Sequence, residues 1–169
     1  MPVSYPVVNG IRFDFSSIQF RVNGKVFPGI KSLSFNHAME PGLVRGTAAQ
    51  VIGRTRGQYN SEGSVELYRE DADDFLTIIA PNSFVTGGQN GTGFMEVQFD
   101  VGVTYFEPIQ GLTPAAQMDI MKGCRIKKED ISNASGSDPS TIKYDFHIMY
   151  LIRNGRAPIS ASGSLTTRS

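Results

Sequence analysis

The sequence predicts a mainly β fold: a single-domain sandwich or barrel with one short flanking helix, at about residues 71–80, and one long loop. Three observations predict it. Several segments alternate apolar and polar residues with the period of a half-buried strand. Eighteen glycines and nine prolines punctuate those segments as turns, and only one stretch carries helical spacing. At 169 residues the chain is long enough for one domain with a real core, and 1–169 is read as one unit.

Residues 1–15, with Pro2, Pro6 and Asn9-Gly10, read as an arm that docks on something. Strands begin near Ser16. Ile18, Phe20 and Val22 alternate with Gln19 and Arg21, and Asn23-Gly24 supplies a hairpin turn into Lys25-Val26-Phe27. Alternation resumes after Pro28-Gly29 with Ile30, Leu33 and Phe35, then breaks over 38–57. There Glu40-Pro41-Gly42 signals a turn, and Arg45, Arg54 and Arg56 are spaced by small residues. Such a stretch is either disordered or ordered by another chain, and Ala49, Val51 and Ile52 allow a hairpin excursion.

Tyr59–Arg69 reads as a strand with Gly63, Val65 and Leu67 on one face and Glu62, Ser64, Glu66 and Tyr68 on the other. The helix follows, with Glu70, Asp71, Asp73 and Asp74 at its positive end, an Asp71/Asp74 echo of a capping box, and Ala72, Phe75, Leu76 and Ile79 on one stripe before Pro81. Residues 82–93 form a glycine-rich loop. Phe94–Phe106 reads as one long strand with Glu96, Gln98 and Asp100 on its polar face, and 107–116 as a loop. Gln117–Ile131 reads as a strand or two, 132–140 as a polar turn, and Thr141–Arg153 as a strand with Ile142, Tyr144, Phe146, Ile148, Tyr150 and Ile152 on one unbroken face. Asn154-Gly155 then turns the chain into Ile159–Leu165. The sum is about eight strands and one helix.

Sixteen basic residues balance sixteen acidic ones, so no net field favours nucleic acid or an anionic membrane. One cysteine excludes an intrachain disulfide and fits a reducing cytoplasm; no signal peptide and no membrane span are expected. Cys124 is a candidate nucleophile with His37 or His147 as its base, but it lies within a strand-like run rather than at a helix N-terminus or in a thiol-activating motif, so a small half-buried residue in a sheet is the reading. The Asp71–Asp74 cluster lacks the glycine and distal glutamate of a calcium loop. The 87–93 glycines precede a strand, with no phosphate-binding lysine. No nucleophile elbow or zinc spacing occurs. No enzyme, metal or cofactor is expected.

Three blocks carry a resemblance. Residues 53–79 run from Gly53-Arg-Thr-Arg-Gly57 through Glu62-Gly-Ser-Val-Glu-Leu-Tyr68 into the helix. Asp119-Ile-Met-Lys-Gly-Cys-Arg-Ile126 with Gly136-Ser-Asp-Pro139, and Tyr150-Leu-Ile-Arg-Asn-Gly-Arg-Ala-Pro158, follow. In this order, over roughly 16–160, they resemble phage tail tube proteins of the contractile type, a fold shared with R-type pyocin tubes and the type VI secretion tube. The resemblance implies a structural subunit of the virion tail, made in the host cytoplasm, whose hexameric rings stack into a hollow conduit for DNA ejection. Its implied partners are further copies of itself, the sheath, baseplate or initiator and terminator proteins, and tape-measure protein and DNA passing loosely through the lumen. With that resemblance the 38–57 stretch becomes an inter-ring loop, with Glu40, Pro41, Arg45, Arg54 and Arg56 at the contact, and Glu62, Ser64, Glu66, Glu96, Gln98 and Asp100 become lumen candidates. The alternatives are a pyocin-type or type VI-type tube subunit, a monomeric ligand-binding β-barrel, and an esterase-like or deaminase-like enzyme.

Overall fold

The structure, a computed structural model, describes residues 18–47, 50–55, 57–80, 93–105 and 117–159. The expected arm at 1–15, the glycine-rich loop bar Gly93, the 107–116 loop, Arg56, Pro81 and all of Ile159–Leu165 but Ile159 lie outside these residues.

Among the described residues, ten strands and one helix form. The strands β1 (Ile18–Val22) and β2 (Lys25–Phe27) make the expected hairpin, with Asn23 and Gly24 both at positive φ (47° and 89°), as a type I′ turn requires. The long strands β3 (Ile30–Glu40) and β6 (Gln58–Tyr68) pair from Ile30/Leu67 to Glu40/Gln58. Between them β4 (Leu43–Arg45) and β5 (Val51–Arg54) form a separate two-stranded sheet. Of the irregular 38–57 stretch, 38–40 complete β3, and the described residues beyond form a hairpin arm prolonging β3 and β6, tied at its base by Gly42 N–H to Thr55 Oγ1 (2.9 Å) and Thr55 N–H to Gly42 O (2.8 Å).

Helix α1 (Arg69–Ile79) starts where β6 ends. Tyr68 occupies its N-cap without a side-chain bond, so the Asp71/Asp74 echo is not used, and Glu70 and Asp71 complement the first turn. Ala72, Phe75 and Ile79 are buried, as the stripe predicts. A side chain at Gly29, where β2 turns into β3 under the helix, would displace the Asp71 carboxylate that lies against it.

Two expected strands are corrected. Phe94–Gln98 is not strand: a turn is closed by Glu96 N–H to Gly93 O (2.9 Å), and only β7 (Phe99–Tyr105) is extended. Thr141–Arg153 is two strands, β9 (Thr141–Ile148) and β10 (Tyr150–Arg153), separated by Met149. That extra residue shifts the phase, so Leu151 is buried rather than Tyr150 or Ile152.

The strand β8 (Gln117–Ser132) organises the rest. Up to Cys124 it pairs with β7, and along Asp119–Lys122 its other side holds β10; from Arg125 onward it pairs with β9. The change of partner falls at Gly123, whose φ of +64° suits glycine and bends the strand. The hydrogen-bonded path β2-β1-β7-β8-β9-β6-β3 thereby folds over on itself as an open sandwich, its two ends unjoined. Phe20, Val101, Val103 and Met121 from one half face Val65, Leu67, Tyr144, Phe146 and Ile148 from the other. Phe75 enters from the helix, with ring centroids 5.6 Å from Phe99, 6.0 Å from Phe27 and 5.2 Å from Tyr144. Among the described residues the rings of Phe20, Phe27, Phe75, Phe99, Tyr144 and Phe146 pack against one another in this interior.

Candidate assembly surfaces

The second half of the sandwich is a four-stranded antiparallel sheet, β3-β6-β9-β8, and period-two alternation gives it one apolar and one polar face. On the polar face Glu62, Ser64 and Glu66 of β6 stand in a row, flanked by Asn36, Ser34 and Ser32 on β3 and by His147, Asp145 and Lys143 on β9. The carboxylates are matched. Glu62 Oε1 lies 2.6 Å from Lys127 Nζ, and Glu66 Oε1 accepts from Thr141 Oγ1 (2.7 Å) and Lys31 Nζ (3.2 Å). Ser34 and Ser64 hydroxyls meet at 3.1 Å. The lysine hydrogen bond holds Glu62 below the usual carboxylate range, and the Thr141 hydroxyl, then Lys31, does the same for Glu66.

Glu96, Gln98 and Asp100 stand elsewhere. Glu96 Oε2 accepts from Gly93 N–H (3.2 Å), and the Gln98 amide reaches Met149 Sδ at 3.9 Å. Asp100, on β7, accepts from the Gly123 N–H (3.1 Å) and pairs with Lys122 Nζ (3.3 Å), so it braces the β8 bend. Sequence alternation does not reveal this brace, because the bend itself brings positions 100 and 123 together. The structure thus gathers Glu62, Ser64 and Glu66 on one face and puts Asp100 in the other half.

Among the described residues neither margin of this sheet carries a further strand. Among the described residues β3 pairs along β6 only, over eleven residues, and β8 from Arg125 to Ser132 pairs along β9 only. Long unpaired edges in an isolated chain template pairing with another. Beyond the end of β3, next to Glu40 and Pro41, the β4–β5 arm exposes Leu43, Val44, Val51 and Ile52, the last 70% accessible, together with Arg45 and Arg54.

Nothing in the described residues assembles into a reaction centre. Cys124 is fully buried, and burial, then the Asp100 charge, pushes its thiol up to about 12, far from a thiolate at neutral pH. His37 packs edge-on against Tyr59, whose hydroxyl accepts from Leu151 N–H (3.0 Å), and His147 sits across from Glu62. No group of three or more His, Cys, Asp or Glu side chains suited to a metal stands among the described residues.

No family model matches the sequence, and no curated protein does. Solved structures do match. The SPP1 tail tube superposes over 86% of this chain and 81% of its own, with a TM-score of 0.56 at 13% identity. The chain has the tail-tube fold. A chain of the PVC sheath-tube complex, an extracellular contractile injection system in its extended state, matches with TM-score 0.58 at 11% identity over 89% of this chain and 92% of that one. The tube-terminating cap of the anti-feeding prophage matches with TM-score 0.62 at 7% identity over 89% and 97%.

Proposed function

We propose that this chain is the subunit of a contractile phage tail tube, forming hexameric rings that stack into a hollow conduit for DNA ejection. The observation that supports it best is the four-stranded sheet with a polar, charge-matched face and two unpaired margins. Its strands alternate in direction, so β3 and β8 run oppositely. An even number of alternating strands has a consequence: β8 of one copy lies antiparallel to β3 of the next under simple rotation. The sheet closes into a ring without a parallel junction, and both edges are consumed. A hexamer of such sheets, at about 4.8 Å per strand, makes a backbone ring roughly 37 Å across before strand tilt widens it.

The lumen face is then the row Glu62, Ser64 and Glu66 with its lysine partners. Because each carboxylate is offset by a cation, the wall presents little net field, and phosphates are neither held nor strongly repelled. The arm, with Glu40, Pro41, Arg45, Arg54 and Arg56, mediates ring stacking. Further partners are the sheath around the tube, baseplate or initiator and terminator proteins at its ends, and tape-measure protein and DNA inside. The place of action is the virion tail, assembled in the host cytoplasm. A tube subunit of a phage-tail-like injection particle is a second reading, favoured by the TM-scores of the PVC and anti-feeding prophage chains, which are no lower than that of the SPP1 tube.

Electron microscopy of the purified full-length chain tests the proposal. Hollow rings or tubes are expected; a chain that stays monomeric at high concentration under every assembly condition contradicts it.

A further inference from the structure

Among the described residues nothing covers the apolar side chains of the β4–β5 arm. Its end of the molecule is fixed by β6, which begins at the arm base with Gln58 and ends eleven residues later at helix α1. Arm and helix therefore occupy opposite ends of the same strand. In any head-to-tail stack the surface that meets an arm is the opposite end of another copy.

The charges of the two ends are complementary. Residues 41–57 contain three arginines and no carboxylate, whereas α1 contains four carboxylates and one arginine. Among the described residues Arg45 and Arg54 have no ion-pair partner, and of the helix carboxylates only Asp74 has one, Lys25 at 3.5 Å. The arm also carries apolar area. Leu43 stands opposite Arg54, Val44 opposite Gly53 and Arg45 opposite Val51, the register shifting between Val44 and Arg45 so that Ile52 is left without a partner in the ladder. The arm thus exposes Leu43, Val51 and Ile52 beside two guanidinium groups. At the helix end of the sheet Ile131, 53% exposed, offers an apolar counterpart on the β8 margin.

We infer that the arm of one subunit docks on a second copy of this chain in the adjacent ring, with Arg45 and Arg54 against the Glu70–Asp74 face of α1 and Ile52 covered at the Ile131 margin. The inference rests on the stacked-ring reading and names the surface that receives the arm. Guanidinium groups suit this contact because each can take a carboxylate with two donors, and pairing across the interface fixes which end meets which.

Charge exchange in the full-length chain tests it. The variants R45E/R54E and E70K/D73K are each expected to form rings that no longer stack, with the tube-to-ring ratio down about tenfold or more. Combining all four substitutions is expected to restore tubes, and raised salt is expected to shorten wild-type tubes while leaving rings intact. Circular dichroism establishes that each variant is folded, and the exposed helix pair supplies the test if the arm pair fails to fold. Tubes of normal length from either folded double variant, or folded quadruple variants that stay as single rings, overturn the inference. Those outcomes leave rings in place, whereas absence of rings in the wild type is the failure of the tube reading itself.

Discussion

Replacing Gly63 with alanine tests how tightly the sheet under the polar face is built. A Cβ at Gly63 would lie 2.6 and 2.8 Å from Phe146 Cε2 and Cζ and 3.3 Å from Ile148 Cδ1. Carbon atoms pack at about 3.5–4.0 Å, so the Phe146 ring must retreat by roughly 1 Å. It has nowhere to go: Phe146 is fully buried, and its centroid stands 6.0 Å from Phe99, which in turn packs edge-on against Phe75. Overpacking of this kind costs about 1–3 kcal/mol, offset by roughly 0.4–1 kcal/mol because alanine restricts the unfolded chain. A net loss of about 1–2 kcal/mol is expected, read as a lower urea midpoint on dispersed subunits with an unchanged slope. In a double-mutant cycle with Phe146→Leu the two changes should not add, since the smaller side chain admits the methyl group. A Gly63→Ala variant as stable as the parent, or strict additivity with Phe146→Leu, would refute the packing argument.

Three further outcomes follow from the same geometry. Asp100→Ala removes the acceptor of the Gly123 N–H and the partner of Lys122, and a loss of about 1–2 kcal/mol with faster amide exchange at Gly123 is expected. Glu62 and Glu66 titrate below their ordinary value of 4.5, so their pairing stabilises the folded chain at neutral pH. That contribution fades only as pH falls through their lowered pKa values; the acid-side loss of stability should shrink in Glu66→Gln, and an unchanged acid limb contradicts it. Cys124 should resist thiol reagents at neutral pH and react only after denaturation, which a timed colorimetric assay reads directly.

Much of the fold is legible in the sequence where one face is wet. In β6 the alternation of Gly63, Val65 and Leu67 with Glu62, Ser64 and Glu66 sets strand, faces and site row together, and the helix stripe through Phe75 is equally plain. The signal fails where every residue is apolar. Ile148-Met-Tyr-Leu-Ile152 has no polar phase marker, so the one-residue shift at Met149 is invisible, and Leu151 replaces Tyr150 and Ile152 in the core. It also misleads at Phe94–Gln98, where Phe94 and Val97 pack on the core from a turn rather than a strand. The arm reads as irregular because its apolar residues are exposed in the isolated chain, and exposure breaks the usual link between hydrophobic pattern and burial. The brace of Asp100 on Gly123 depends on a bend that no local pattern encodes.

Ring closure through the two open margins is the claim on which the functional reading turns, and disulfide trapping tests it most directly. Paired cysteines would be placed across the margins on the polar face, scanning Ser32, Ser34 and Asn36 on β3 against Lys128, Asp130 and Ser132 on β8, and the oxidised full-length chain run on a denaturing gel. A head-to-tail edge contact predicts a ladder of covalent oligomers that ends at a closed ring. Monomer for every pair, or trapping that stops at dimer, would contradict edge-to-edge closure.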